Sequence, residues 1–147
     1  MNAQPAPSGL ELQLTVPAGW TSESFVNSVG MGIYRIGSFP FPANSEDDVG
    51  QTARAAMQPS DVLINIVDLT ATDPGTTNAA YVPTSTPIVV DPSDVRGQEG
   101  YPLIVQAAIR GVRIFERNLH ISVAFGGEPS TAQLTAANLT LKTLAHA

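Results

Sequence analysis

Hydrophobic and polar positions alternate along this chain in short runs broken by glycine and proline, a pattern that predicts strands more than long helices. Leu10, Leu12, Leu14 and Val16 alternate with Glu11, Gln13 and Thr15, which predicts a half-buried strand with one wet face. Pro17, Ala18 and Gly19 stop it, and Trp20 is expected as a plug at the core edge rather than a ligand platform. A second strand is expected over 29–39, with Val29, Met31 and Ile33 on one face and Gly30, Gly32 and Tyr34 on the other. Pro40 and Pro42 forbid its continuation. Residues 61–69, DVLINIVDL, carry apolar side chains on both faces and predict a central strand covered on both sides. Asn65 and Asp68 interrupt it and require partners if buried.

Between these strands, Asn44-Ser45-Glu46-Asp47-Asp48 reads as a helix start, with Ser45 or Asn44 as the cap and three acids at the positive end of the dipole. Val49, Ala53, Ala56 and Met57 form a narrow apolar stripe, so a helix is expected over 47–57, ended by Pro59. The same acids read alternatively as a cation site, and helix-end charge is the favoured reading. Residues 70–101 are mostly loop, with a short strand at best at Ile88-Val89-Val90. A loop of that length is often functional or mobile. Its acids, Asp73, Asp91, Asp94 and Glu99, lack calcium-loop spacing.

The last third of the chain holds the clearest signals. Leu103, Val105, Ala107 and Ile109 share one face, while Val112 and Ile114 fall on the other parity, which predicts a bulge at Gly111. Glu116-Arg117-Asn118 is expected to turn the chain, and Leu119, Ile121, Val123 and Phe125 return on one face. Gly126 and Gly127 release the strand. Ser130 and Gln133 match a capping box, and Leu134, Ala137, Leu141 and Leu144 form the stripe of a helix over 131–145, with Leu139 off it.

Composition narrows the function classes. The 147 residues suit one domain, expected over 10–147, behind a flexible leader or linker stub at 1–9 rich in Pro, Ala, Ser and Gly. The stub lacks a basic segment followed by an apolar one, so no signal peptide is read there, and a trimmed targeting segment or a natural disordered terminus would equally leave such a stub. Only 14% of residues are charged, the net charge is −6 and Lys142 is the single lysine, which disfavours nucleic acid and anionic membranes as partners. No apolar run is long enough to span a bilayer. With no cysteine, disulfides, thiolate chemistry and Cys-based metal sites are excluded.

The candidate chemistry is thin. Only His120 and His146 could serve as a catalytic base, and His146 stands at the chain end. His120 alternates with Leu119 and Ile121, so it faces away from the main apolar row and reads as a solvated or hydrogen-bonded sheet residue. Nucleophile elbows and phosphate loops are missing: Gly30-Met31-Gly32 lacks a third glycine, and Glu128 follows the Gly126-Gly127 pair. Paired carboxylates for glycoside cleavage are disfavoured by the 6% aromatic content, and the sequon Asn138-Leu139-Thr140 reads as chance on a packed helix. No catalytic, cofactor-binding or metal-binding residue is therefore assigned.

The element order β-β-α-β-(β)-β-β-α, with LTVPAGW at 14–20, GSFPF at 37–41 and ERNLHISVAFGGEPS at 116–130, resembles the PsbP-like fold. Within that fold the chain looks like small exported actinobacterial domains of unknown function. The resemblance implies an α/β/α sandwich and an extracytoplasmic setting, secreted or envelope-anchored, with a cytoplasmic one as the alternative. It carries over no site residue.

The expected fold is thus α+β: a twisted, mostly antiparallel sheet with two helices packed on it. The expected function is a non-enzymatic extracytoplasmic domain binding a protein or envelope partner. The alternatives are a subunit of a larger assembly (filament, virion or secretion apparatus, with a chaperone-like role included) and a small hydrolase using His120 with an acid from 70–101. Any working surface is expected around 70–101 and the far face of the sheet.

Overall fold

Residues 10–147 are described by a computed structural model, built on a seven-stranded sheet. The strands are β2 (Thr21–Val26), β3 (Gly32–Gly37), β4 (Val62–Asp68), β5 (Val82–Pro83), β6 (Arg96–Gly97), β7 (Gln106–Ile114) and β8 (Arg117–Phe125). Their spatial order is β2-β3-β4-β8-β7-β5, with β6 also on the outer edge of β7. All pairings are antiparallel except β5 on β7. A separate two-stranded ladder joins β1 (Leu12–Gln13) to β9 (Ala145–His146). The expected leader at 1–9 lies outside the described residues.

The architecture is α+β, as the patterning implied. Strand β4 is buried along its whole length and sits between β3 and β8, which accounts for apolar residues of both parities. Its even side chains, Val62, Ile64 and Ile66, join Leu119, Ile121, Val123 and Phe125 of β8 in the larger core. Helix α2 (Thr131–Leu141) covers that core with Ala137, Leu141 and, just beyond its end, Leu144. Leu63 points the other way, into a smaller core with Ala107, Ala124, Ala53 and Met57. Helix α1 (Gln51–Ala55) therefore packs on the opposite side of the sheet from α2.

The returning strand β8 and the start of the final helix follow the local signals. That helix ends at Leu141 rather than at 145, since Ala145 and His146 leave it to pair with Gln13 and Leu12. Ser130 caps α2 by accepting from the Gln133 amide at 3.1 Å, while Gln133 accepts from the Ser130 amide at 2.8 Å. Leu139 is exposed, off the packed stripe.

Five further expectations are corrected. The predicted bulge at Gly111 is absent, because β7 and β8 pair without interruption from Gln106↔Phe125 to Ile114↔Arg117. The parity switch arises because β7 is covered on its two faces at different ends. Ala107 lies in the smaller core with α1, and Val112 and Ile114 lie in the larger core. The turn falls at Phe115-Glu116, both with positive φ, so Arg117 already opens β8. Strand β3 starts only at Gly32, since Asn27 to Met31 form a turn in which the Asn27 side chain accepts from the Met31 amide at 2.9 Å. The first helix is five residues long, begins after Gly50 in the left-handed region, and takes no cap from Asn44 or Ser45. Leu103 is fully exposed, because β7 begins three residues later.

Strand β2 was missing from the patterning. Its sequence TSESFV is polar at four of six positions, and it is a strand because β3 pairs with it. The alternation at 10–16 does bury Leu10 and Leu12, yet only two residues there find a strand partner, the chain's own end. Ile88 and Val90 are buried without forming a strand, because the Asn138 side chain bonds both backbone groups of Val90, at 2.8 and 3.1 Å.

Candidate functional site

The sheet face that carries α1 divides into three zones. At one end lies the smaller apolar core beneath α1. In the middle, Arg35 stands fully buried among polar partners. At the other end the sheet is left open by the short helix, and a cleft forms over His120.

The middle zone begins with a sequence choice that elementary energetics disfavours: a charged residue at a central position of β3. Arg35 resolves it by using its fork of donors. Its Nε donates to Asn65 Oδ1 at 2.8 Å, and its Nη1 pairs with Glu23 at 2.5 Å. The remaining donors reach the carbonyls of Ser45 and Asp47. Asn65 donates to the Asp48 carbonyl at 3.2 Å, and Ser45 Oγ donates to the Glu23 carboxylate at 3.0 Å. Arg35 thus binds the 45–48 segment onto three strands, which fixes the rim of the neighbouring cleft. The Asp47 carboxylate accepts from the Gln51 and Thr52 amides, at 2.6 and 3.3 Å, so it performs the N-terminal capping that Ser45 was expected to do.

The cleft has a volume of about 410 Å³. Its floor is a cross-strand row, Val67 of β4, His120 of β8 and Gly111 of β7. Met31, Asp48 and Val49 rise on one side, and Ala80 and Tyr81 on the other. Gly111 has a specific task here: a Cβ on it would stand 1.9 Å from the Ala80 carbonyl oxygen, so only glycine lets the 80–81 backbone lie on the sheet. Asn118, fully buried one step further along β8, ties down the start of that segment. Its side-chain amide donates to the carbonyls of Asp73 and Gly75, both at 2.8 Å, and its oxygen accepts from Arg113 at 2.8 Å.

The lining is mainly apolar, with few ionisable groups. Burial pushes the His120 pKa below the usual imidazole value, with no contribution from a charged neighbour or a hydrogen bond. At neutral pH the ring is therefore uncharged, with one donor and one acceptor nitrogen. Burial raises the Tyr81 pKa, and the charge of Asp73 adds to it.

The other candidates are scattered. His146 faces Glu11 at 3.7 Å on the small β1–β9 ladder, remote in the fold from the cleft. Asp91 and Asp94 frame a 3-10 turn over Pro92–Asp94, where Asp94 pairs with Arg110. Buried Asp68 pairs with Arg117 at 2.8 Å and accepts from the Thr70 hydroxyl at 2.6 Å. Asp48 accepts from the Asn27 side chain at 3.1 Å. Among the described residues, no group of three or more His, Asp or Glu is placed to hold a metal ion. Trp20 packs against the larger core. Asn138 is engaged with Val90, and no helix among the described residues is long and apolar enough to cross a membrane.

Sequence patterning singled out His120 and missed the residues that surround it. Met31 is expected in a strand and Val49 in a helical stripe, yet both lie in turns, and Ala80 and Tyr81 lie in a loop that no periodicity marks. Compared with known proteins, the chain matches no family model, no curated protein and no solved structure.

Proposed function

We propose that this chain is a non-enzymatic binding domain that works outside the cytoplasm and recognises a protein or another envelope component, which seats over the His120 cleft. The observation that carries the reading is the cleft itself: an open, mainly apolar hollow whose base is a neutral, half-buried histidine. Pockets of this size with few polar groups are typical of ligand sites. Chemistry at His120 would need a nucleophile or an orienting acid within hydrogen-bond reach, and burial alone shapes the titration of this ring. The extracytoplasmic setting and the PsbP-like sandwich belong to the same proposal, supported by the acidic, lysine-poor composition and by the helices on opposite sheet faces.

The test is retention by the immobilised protein from envelope and cytosolic extracts of the source organism. A component held from the envelope fraction, and released by Val49→Glu at the exposed cleft rim, is the expected result. Retention from the cytosolic fraction alone, or retention indifferent to that substitution, counts against the reading.

A further inference from the structure

We infer that the cleft takes a small, uncharged or cationic apolar molecule, a ring system or short branched chain with one hydrogen-bonding end, and rejects anionic ligands. The inference rests on the reading of this cleft as a binding site, and it adds the chemistry of the occupant. Three observations lead to it.

Size comes first. A hollow of about 410 Å³ is larger than one protein side chain fills, and it falls in the range of small-molecule pockets. Charge decides the class. Asp48 lies in the wall, and the charge of Asp73 acts on Tyr81 of the opposite wall, while no arginine or lysine lines the hollow. A carboxylate, phosphate or sulfonate placed there would meet like charge with no cation to offset it, whereas a cation would be attracted by Asp48 and by the Tyr81 ring. The third observation is the floor. Neutral His120 offers a donor and an acceptor at the base of otherwise apolar surface from Val67, Met31 and Val49, which suits one polar end on an apolar body.

Two fluorescent probes that share a ring framework test this directly. N-phenyl-1-naphthylamine is uncharged, and 8-anilino-1-naphthalenesulfonate adds a sulfonate to the same skeleton. The expected result is saturable binding of the uncharged probe, with the sulfonate probe weaker by about tenfold or more. Ala80→Trp, at an exposed lining position, is expected to abolish binding of the uncharged probe by filling the hollow. Leu103→Ala, at an exposed apolar position outside the lining, is expected to leave it unchanged. Equal affinity for both probes, lost in Ala80→Trp, would overturn the charge rule while the cleft stands as a site. Binding of either probe that ignores Ala80→Trp would remove the cleft as a ligand site altogether, and a circular-dichroism melt of each variant separates that outcome from misfolding.

Discussion

The carbonyl oxygen of Ala80 occupies the space that a side chain on Gly111 would need, with only 1.9 Å between that oxygen and a Cβ built on the glycine. Neither atom is at the end of a flexible side chain, so the backbone of one segment must move if Gly111 gains a methyl group. Gly111→Ala is therefore expected to lower stability by about 1–3 kcal/mol through overpacking. It should also open the wall of the cleft and weaken probe binding. Gly127→Ala, where a Cβ meets nothing within 4 Å, serves as the control and should be nearly neutral. Chemical denaturation of the two variants checks the difference, and equal losses would show that the Ala80 contact carries no strain.

Arg35 is expected to be the most sensitive polar position in the domain. Removing it as Arg35→Met strands Glu23 and leaves Asn65 and two carbonyls without their donor. Breaking a buried pair in this way costs about 3–5 kcal/mol. Glu23 is partly exposed, so Glu23→Gln should cost less, and the double variant should be more stable than the two single losses sum to. A double-mutant cycle by urea unfolding measures this coupling, and strict additivity would refute it.

Asn118 links β8 to the 73–75 segment through two side-chain donations. Asn118→Asp replaces those donors with acceptors facing two carbonyls, and it should destabilise more than Asn118→Ala even though Arg113 could pair with the new charge. Each orphaned buried group costs about 1–3 kcal/mol. Hydrogen exchange is expected to rise first around residues 70–81. A uniform rise across the domain would mean that Asn118 supports the whole sheet rather than this segment.

Acid is expected to destabilise the protein in two windows. The folded-state pKa of His120 is lowered by burial. The unfolded chain therefore binds the extra proton first as pH falls through the ordinary imidazole range near about 6.5, and stability is lost between that value and the lowered folded one. Asp47 and Asp94 act lower down. Burial pushes Asp47 up, but the amides of Gln51 and Thr52 and the charge of Arg35 outweigh it. For Asp94 the Asp91 amide is the main cause, with Arg110 beside it. Their contribution is present above the ordinary carboxylate range and disappears as pH drops through their lowered values. His120→Gln should erase the first loss and keep the second, read from urea midpoints against pH. A variant that retains both losses would show that His120 is not the group responsible for the first.

Several elements were legible in the sequence because their causes are local. The alternation of Leu119, Ile121, Val123 and Phe125 needs only a buried face, and Ser130 with Gln133 closes a capping box within four residues. Strand β4 announced itself because an apolar run on both parities has few other uses. Asp47 shows where such reasoning slips. Of the three acids expected as helix-end charge, Asp47 alone bonds the first amides of α1, while the first turn starts later because Arg35 draws the Ser45 and Asp47 carbonyls onto the sheet.

Tertiary structure alone decided the rest. TSESFV became β2 because β3 supplied a partner and Arg35 received Glu23, and nothing in the six residues required either. The cleft draws on Met31, Val49, Tyr81 and His120, which are far apart in the chain and converge only when β4, β7 and β8 set the floor. Gly111 summarises the division. From its neighbours it read as a bulge, an effect within one strand. Its actual reason is a backbone thirty-one residues earlier pressing on it, and a contact of that range leaves no periodic trace in the sequence.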